Sequence, residues 1–522
     1  MWGCGKAPSP GSLPAGHRER PDLILFSIDT MRADHLGCYG YSRDTSPFFD
    51  SLARVGTRFA SAWAPSPWTL PSHATMLTGA LSPRHGAIEE EHAIAGDLTL
   101  LSESLSEAGY LCCGVVTSIF VSELYGFGRG FDHFHDFGIV SGENSGQPPP
   151  RSADVLTHAL EWAREQAEGQ PLFLFLHVYD VHYPYDAPPP WNEKFNRPST
   201  GEELHYENYY HYLRHPPTPE QFDQQIGQYD EEIAYVDETW SRFHTTWTAA
   251  RPNTICLITS DHGEEFGERG SWGHAHTLAP ELLQVPWIVS GPGVRAQTVT
   301  ERVGLEDLAP TLAGLAGVSF DPVDGRDRTA LIRDGIRSTD DPTAARFAST
   351  YRRHTWLHRW HEDGHDLVFN LPRMVYRLYD LNHDPHAEHD RFPADLDRAQ
   401  AMSLAMYSYL EQPWEATQDG VVRSGNGLFV IDGQRQNQEM IVKQGQRFAL
   451  FPPDAAVTWY GIDDPLLENQ RDVQSGPWQA LGGALPGPDD TGLRWHGRLP
   501  TSADTELTTD QKERLRALGY VE

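Results

Sequence analysis

The sequence predicts an α/β protein with a large, mostly parallel central sheet covered by helices on both faces, followed by a smaller C-terminal α+β region. Three observations predict it. Several short runs are almost continuously apolar, as strands buried on both faces are: "PDLILFSIDT" (21–30), "PLFLFLHVYDVH" (171–182), "NTICLITSDHGEE" (253–265) and "QVPWIVSGPG" (284–293). Helical patterns fill the gaps between them. The first three runs stop at residues able to do chemistry: Asp29, then Asp180 and His182, then Asp261 and His262. Open α/β sheets bind ligands beyond the carboxyl ends of their strands, which is where these groups fall.

The elements follow in order. Residues 1–20 read as a flexible N-terminal segment. Its "MWGCGKAPSPGSLPAG" joins an early Cys to a Pro/Gly/Ser linker. That fits either the end of a clipped lipoprotein signal, which would put the protein in the cell envelope or outside the cell, or the disordered start of a cytoplasmic chain. Residues 21–335 read as one catalytic domain. In it "TSPFFDSLARVG" (45–56) opens on a capping Thr or Ser, and "LSESLSEAGY" (101–110) is amphipathic and stops at Gly109. "IGQYDEEIAYVDETW" (226–240) spaces Ile226, Tyr229, Ile233, Val236 and Trp240 by three and four, one face of a helix. Residues 183–222, rich in Pro, Tyr and His, break this rhythm and read as a lid or substrate wall, or else as a plain surface loop.

The character changes after residue 335. Residues 336–415 read as a small subdomain, with a hairpin strand and polar turn in "RMVYRLYDLNHDPHAEHD" (373–390). Residues 416–506 read as a β-rich appendage. Short β-like runs lie between 420 and 462, and an irregular Gly/Pro/Asp-rich linker covers 470–506. Residues 507–522 read as a short capped helix stopped by Gly519.

Composition narrows the function. A formal net charge of −32 over 522 residues excludes a nucleic-acid binder, since phosphate backbones need Lys and Arg. The same field repels anionic substrates, so an anion site needs local positive charge, and a bound metal ion supplies it. Five scattered cysteines form no CxxC and no disulfide framework; Cys112, Cys113 and Cys256 sit in apolar runs as small buried hydrophobes. No apolar run is long enough for a transmembrane helix. Oligomeric state is not legible.

A hydrolase of an anionic ester needs a nucleophile, a positive centre and a proton donor. Asp29, Asp261 and His262 can supply metal ligands, and an oxygen from Thr69 can complete the shell. Thr69, in "SPWTLPSHATMLTG" (66–79), reads as a nucleophile made more acidic by the metal, as a ligand alone, or as the cap of a helix. His182 and His276 can donate a proton or hold substrate oxygens, although His274 and His276 in "WGHAH" equally suit satisfied loop histidines. An all-oxygen site suits calcium or magnesium, and a His262 ligand moves the choice toward manganese or zinc. A second metal would require Asp180, His182 and His276 to converge.

Taken together, "SIDTMRADHLGCYGY" (27–41), "SPWTLPSHATMLTGALSPRHG" (66–86), "HVYDVHYPY" (177–185), "LITSDHGEEFGERGSWGHAHTLAPELLQVPWIVSGPG" (257–293) and "LYDLNHDPHAEHD" (378–390) resemble the sulfatase family of the alkaline phosphatase superfamily. The resemblance covers residues 21–335 and, more loosely, the tail. It implies an alkaline-phosphatase-like α/β/α sandwich. It implies metal-binding roles for Asp29 and Asp261, and for His262, which stands where sulfatases often have Asn and phosphonate monoester hydrolases have His. It puts Thr69 at the nucleophile position and His182 and His276 at positions that contact the anionic or leaving group.

The departures from the family are specific. Thr30 replaces a second aspartate. Thr69 replaces the Cys or Ser that becomes formylglycine, and Thr cannot become that aldehyde. His73 replaces an Arg four residues after the nucleophile, and "VVTSIF" (115–120) replaces a Lys–His pair. The expectation is a metal-dependent hydrolase of a sulfate or phosphate ester, on a small molecule, glycan or lipid headgroup. Its catalytic candidates are Thr69, His182, His276 and His73. The alternatives are a phosphotransferase or phosphodiesterase using Thr69, as lipoteichoic acid synthases use Thr, and a catalytically inactive binding protein.

Overall fold

The computed structural model describes residues 19–137, 150–195, 217–270, 272–321, 324–336, 347–352, 355–370, 375–392 and 394–409, and beyond these only the backbone of short strands. It divides into two compact units, Met1–Arg353 with Ser502–Glu522, and His354–Thr501. The longer elements of the first unit are numbered here in chain order: β1 (Asp22–Ile28), α1 (Pro47–Val55), β2 (Thr57–Trp63), α2 (Thr69–Thr78), α3 (Leu101–Glu107), β3 (Leu111–Val116) and β4 (His133–Asp136). After them come α4 (Ser152–Arg164), β5 (Leu172–Val178), α5 (Pro219–Ala250), β6 (Thr254–Ser260), β7 (Gln284–Ser290), β8 (Gln297–Gly304) and α6 (Leu308–Leu315).

The eight strands form one sheet in the order β8-β2-β7-β6-β1-β5-β3-β4. β7 is antiparallel to both β2 and β6, while the remaining neighbours pair in parallel, so β7 alone runs against the rest. The apolar runs are strands because both faces are covered. β1, β5 and β6 are buried at every residue.

Alternation decides which side chain meets which helix layer. Ile24, Phe26 and Ile28 pack with Phe49 and Leu52 of α1, Val155 of α4, and Tyr229, Ile233 and Trp240 of α5. The Phe26 and Trp240 rings stack at 4.3 Å. The opposite face carries Ser27, which bonds to His73 of α2. α2 is buried at all of its residues, so it is held by the sheet on one side and by further helix on the other.

α5 runs well beyond the 226–240 stretch expected from periodicity, and takes the end of the 183–222 insertion into its first turn. Thr218 caps it: Thr218 Oγ1 accepts from Gln221 N at 3.3 Å, and the Gln221 side chain accepts from Thr218 N at 2.8 Å. α1 begins at Pro47 after Ser46, which makes no side-chain cap bond.

The second unit contains an antiparallel meander, Leu357–Glu362, His365–Asn370 and Val375–Asp380, with a helix over Leu396–Tyr409. The last meander strand is the hairpin strand read in 373–390. A further antiparallel sheet includes Val430–Gly433, Glu439–Gln444, Arg447–Phe451 and Val457–Gly461. The stretch 470–506, expected to be irregular, holds strands at Gln470–Gln474, Arg494–Trp495 and Ala503–Asp504. Residues 1–18 and the expected helix at 507–522 lie outside the described residues. No helix among the described residues is long and apolar enough to cross a membrane.

Candidate active site

Parallel pairing brings the chemistry together. Ile28 of β1 is level with Val178 of β5 and Ser260 of β6, so the next residues in each chain leave the sheet side by side. Asp29 follows β1 and Asp261 follows β6. Both face the α2 side, on the same alternation as Ser27. α2 begins there with Thr69.

The backbone at Asp29 is unusual. Thr30 has φ 55°, a left-handed conformation that a β-branched residue adopts only when its surroundings force it. Each polar group of Thr30 is tied down. Its N–H donates to Asp261 Oδ1 at 3.2 Å, its hydroxyl donates to Val181 O at 2.8 Å, and its carbonyl accepts from Tyr229 Oη at 2.8 Å. The turn aims Asp29 inward and directs the Thr30 hydroxyl elsewhere.

Asp261 is divided in function between its two oxygens. Oδ1 accepts from Thr30 N and from His262 N at 2.9 Å, while Oδ2 has no hydrogen-bond partner. His262 is divided likewise. Nδ1–H donates to Gly263 O at 2.9 Å, which leaves Nε2 bearing a lone pair and no partner. Gly263 is itself wedged: its N–H donates to Leu282 O at 2.8 Å, and a Cβ there would meet Glu281 O at 2.0 Å. Both Asp29 oxygens also lack a hydrogen bond. Asp29, Asp261 and His262 are 0% exposed. His262 Nε2 lies 3.6 Å from Asp29 Oδ1 and 3.4 Å from Asp261 Oδ2.

Burial pushes Asp29 up to about 6. His262 opposes the shift, as does the Thr69 hydroxyl, which lies near enough to favour the carboxylate without completing a bond of ordinary geometry. Buried lone-pair atoms with nothing to accept from are expensive and rare. Two carboxylates and an imidazole presenting them to one another fit a divalent cation, and their donor atoms lie within 4.8 Å of one another.

Thr69 is the first residue of α2 and is 5% exposed. Trp68 is the N-cap, and no side chain caps the helix, so the capping role considered for Thr69 is not the one it has. The free N–H groups of that first turn add partial positive charge beside Thr69.

His73, one turn on, is locked. Its Nδ1–H donates to Thr69 O at 2.9 Å, and its Nε2 accepts from Ser27 Oγ at 2.9 Å. Burial pushes His73 and His182 down to about 3, so both are neutral near pH 7. His182 Nδ1–H donates to Tyr183 O at 2.6 Å, and Nε2 accepts from Tyr179 Oη at 3.2 Å. His182 joins the cluster through His274, whose ring is 5.0 Å from His182 and 4.7 Å from His262. His274 in turn is fixed by Glu264 Oε1, 3.0 Å from its Nδ1.

His276 is held differently. Its Nε2 faces Glu265 Oε2 at 2.8 Å and its Nδ1 faces His274 O at 2.9 Å, so both sides of the ring are held. Burial would raise Glu265, but His276 and Arg269 outweigh it and hold that carboxyl at about 2. The loop carrying His276 packs on the Thr69 loop, with Ala275 N donating to Pro67 O at 3.0 Å. Asp180 does not join His182 and His276. Ser152 N donates to Asp180 Oδ2 at 2.7 Å, which makes Asp180 an anchor for the start of α4.

One residue of the cluster escaped sequence reasoning. His177 is 0% exposed on β5, inside an apolar run, with its Nε2 at 3.4 Å from Asp29 Oδ2. Its signal was the period of two: in "LFLFLHV" it falls level with Ser27 and so on the Asp29 face.

Known proteins bear on this arrangement. The chain is 21% identical over 438 residues to the uncharacterized sulfatase YidJ of Escherichia coli K12, covering 71% of this chain and 83% of that one. The fold superposes on the phosphonate monoester hydrolase of Agrobacterium radiobacter with a TM-score of 0.62 at 18% identity, over 78% of this chain and 99% of that one. It superposes on BT4656, solved in complex with its substrate D-glucosamine-2-N,6-O-disulfate, with a TM-score of 0.60 at 18% identity, over 75% of this chain and 98% of that one. At that identity the likeness carries the fold alone. The sulfatase family model matches residues 21–318, more than half of the chain. The chain therefore belongs to the sulfatase family of ester-hydrolysing enzymes.

Proposed function

We propose that this protein is a metal-dependent hydrolase of a sulfate or phosphate ester in which Thr69 is the nucleophile. The observation that carries the reading is the set of fully buried, unpartnered atoms beside Thr69: Asp29 Oδ1 and Oδ2, Asp261 Oδ2 and His262 Nε2. Those residues, with Thr69 Oγ1, would hold one divalent cation, manganese, zinc or calcium. When bound, the cation stabilises charge on the ester oxygens and makes the Thr69 hydroxyl easier to deprotonate.

The remaining steps belong to the chain. Thr69 Oγ1 loses its proton to solvent and attacks sulfur or phosphorus, the bond to the ester oxygen breaks and that oxygen leaves with a proton; water then attacks the Thr69 ester, the anion departs with the water's oxygen, and Thr69 Oγ1 takes a proton back. Formylglycine would expel the anion by elimination; a threonine ester cannot, so a second attack is obligatory. His276 is the proposed donor to the leaving oxygen, its ring placed by contacts to Glu265 Oε2 and His274 O, one of which opens for the transfer. His182, neutral and with its Nδ1–H committed to Tyr183 O, positions the substrate instead. His73 holds the first turn of α2 through Thr69 O. The family's sulfated and phosphonylated substrates suggest a small-molecule, glycan or headgroup ester.

The obligatory second attack favours one alternative, transfer to an alcohol. Side-by-side assays of aryl sulfate, phosphate monoester, phosphate diester and phosphonate ester with manganese, zinc or calcium identify the ester. Product analysis with and without an added alcohol separates hydrolysis from transfer. Thr69→Ala is expected to abolish turnover in a protein that stays folded, and undiminished activity in that variant would overturn the nucleophile assignment.

A further inference from the structure

We propose that Arg352 grips the charged oxygens of the ester beside Thr69, and that it favours a doubly charged phosphate monoester over a phosphate diester or a sulfate ester. The inference rests on the anionic-ester reading above and narrows its substrate.

The residues already assigned leave a charge to be supplied. The carboxylates of Asp29 and Asp261 cancel a divalent cation, so the loaded centre has no net charge to offer an anion. His73 and His182, both pushed down to about 3 by burial, are neutral near pH 7 and add none. Two arginines in the loops at this end of the sheet are each held between two carboxylates, Arg32 by Asp34 and Glu268 and Arg269 by Glu265 and Glu281.

Arg352 is placed differently. It follows strand Phe347–Thr350 of the first unit, which is tied to both loops that frame Thr69. Ser349 N donates to Pro65 O at 2.9 Å, and Thr350 Oγ1 donates to Ala275 O at 3.0 Å. Arg352 is buried, with its guanidinium carbon 4.7 Å from the centre of the Trp68 ring and 5.3 Å from that of Phe120. Trp68 is the residue before Thr69, so the guanidinium rests on the nucleophile's neighbour. Its Nε–H donates to Glu90 Oε1 at 2.8 Å, which fixes the plane of the group. Its charge is felt inside the site: His182 is held down first by burial, and Arg352 adds to the effect. Trp68 brings a second donor, an Nε1–H that is fully buried and has no hydrogen-bond partner. Such a donor is costly to keep unless something arrives to accept from it.

A guanidinium is a planar fork whose N–H groups match two oxygens of one tetrahedral anion. The fork gains most from oxygens that share two negative charges. A phosphate monoester presents them near neutral pH, whereas a phosphate diester or a sulfate ester carries one.

The test titrates inorganic phosphate and inorganic sulfate calorimetrically into the full chain at about pH 8, where phosphate is mostly doubly charged. The metal-free chain is compared with the chain loaded with manganese and freed of excess. Phosphate is expected to bind the parent more tightly than sulfate does. Arg352→Gln should weaken phosphate about tenfold or more, the scale of a lost hydrogen bond to a charged group, and sulfate less. Arg352→Lys, which keeps the charge and loses the fork, should fall between. Glu90→Gln should bind phosphate at least as tightly as the parent, whereas a merely structural ion pair would weaken binding alike when either half is removed. Thermal melts report folding, and if Arg352→Gln melts early, Arg352→Lys and Glu90→Gln decide. Parental phosphate affinity in the folded Arg352 variants, equal weakening by the Arg352 and Glu90 variants, or a preference for sulfate overturns the inference. Phosphate binding that depends on Arg352 and ignores manganese upholds it and overturns the metal-dependent reading instead.

Discussion

Asp22 and Asp29 stand at the two ends of β1 and are buried alike, at 1% and 0% exposure. Their surroundings are opposite. Asp22 Oδ2 accepts from Arg251 Nε at 2.7 Å, and Oδ1 accepts from Arg251 Nη2 at 3.0 Å and Leu172 N at 2.9 Å. Asp29 has no hydrogen bond at either oxygen. Equal depth therefore goes with opposite bonding: one carboxylate is fully partnered and the other is not. The amino end of the strand is closed by a matched guanidinium, whereas at the carboxyl end the carboxylate oxygens have no hydrogen-bond partner. Burial raises the pKa of both acids, opposed by Arg251 at Asp22 and by His262 at Asp29.

The comparison can be broken most forcefully at its open end. Asp29→Asn should cut turnover about a thousandfold or more, the several kcal/mol that a cation contributes to transition-state charge stabilisation, with folding intact. A steady-state assay beside a thermal melt checks both halves, and a loss of folding without a specific loss of turnover would place Asp29 with Asp22. Asp22→Asn should do the reverse. Leaving Arg251 buried without its carboxylate costs about 3–5 kcal/mol, read by urea denaturation, while turnover per folded molecule stays at the parental level.

Protons sharpen the contrast. Because Asp29 has its folded pKa raised to about 6, a cation must displace a proton below that pH. Metal affinity, measured calorimetrically from pH 5 to 7.5, should fall about tenfold per unit below pH 6 and level off above it as far as this group is concerned. Asp22→Asn should leave that profile in place. The smallest effect is expected for Arg251→Lys, which keeps the charge at the closed end and loses the two-pronged fit, at a cost of about 1–2 kcal/mol in the same urea experiment.

How far the sequence revealed the site depended on whether the deciding contact was local. Asp29, Asp261 and His262 were legible because apolar runs end in them and strand ends carry ligand sites. Asp180 looked identical by that criterion, yet its partner is Ser152 at the start of α4, and nothing near Asp180 in the chain announces it. His177 was hidden for the converse reason. It lies inside a run, and only the register of β5 on β1 puts it opposite Asp29. The layered sheet was legible from its buried strands, whereas the early start of α5 was masked by the Pro, Tyr and His of the preceding insertion, despite the Thr218–Gln221 capping pair.

Gly263 sets how this site tolerates inherited change. It touches no reacting atom, but its carbonyl fixes the His262 ring and its Cα faces Glu281 O with no space for a methyl group. A one-carbon substitution there moves the ring by moving the chain. Libraries randomised at position 263 should return glycine alone among active clones, so a position with no side chain is as constrained as the histidine it orients.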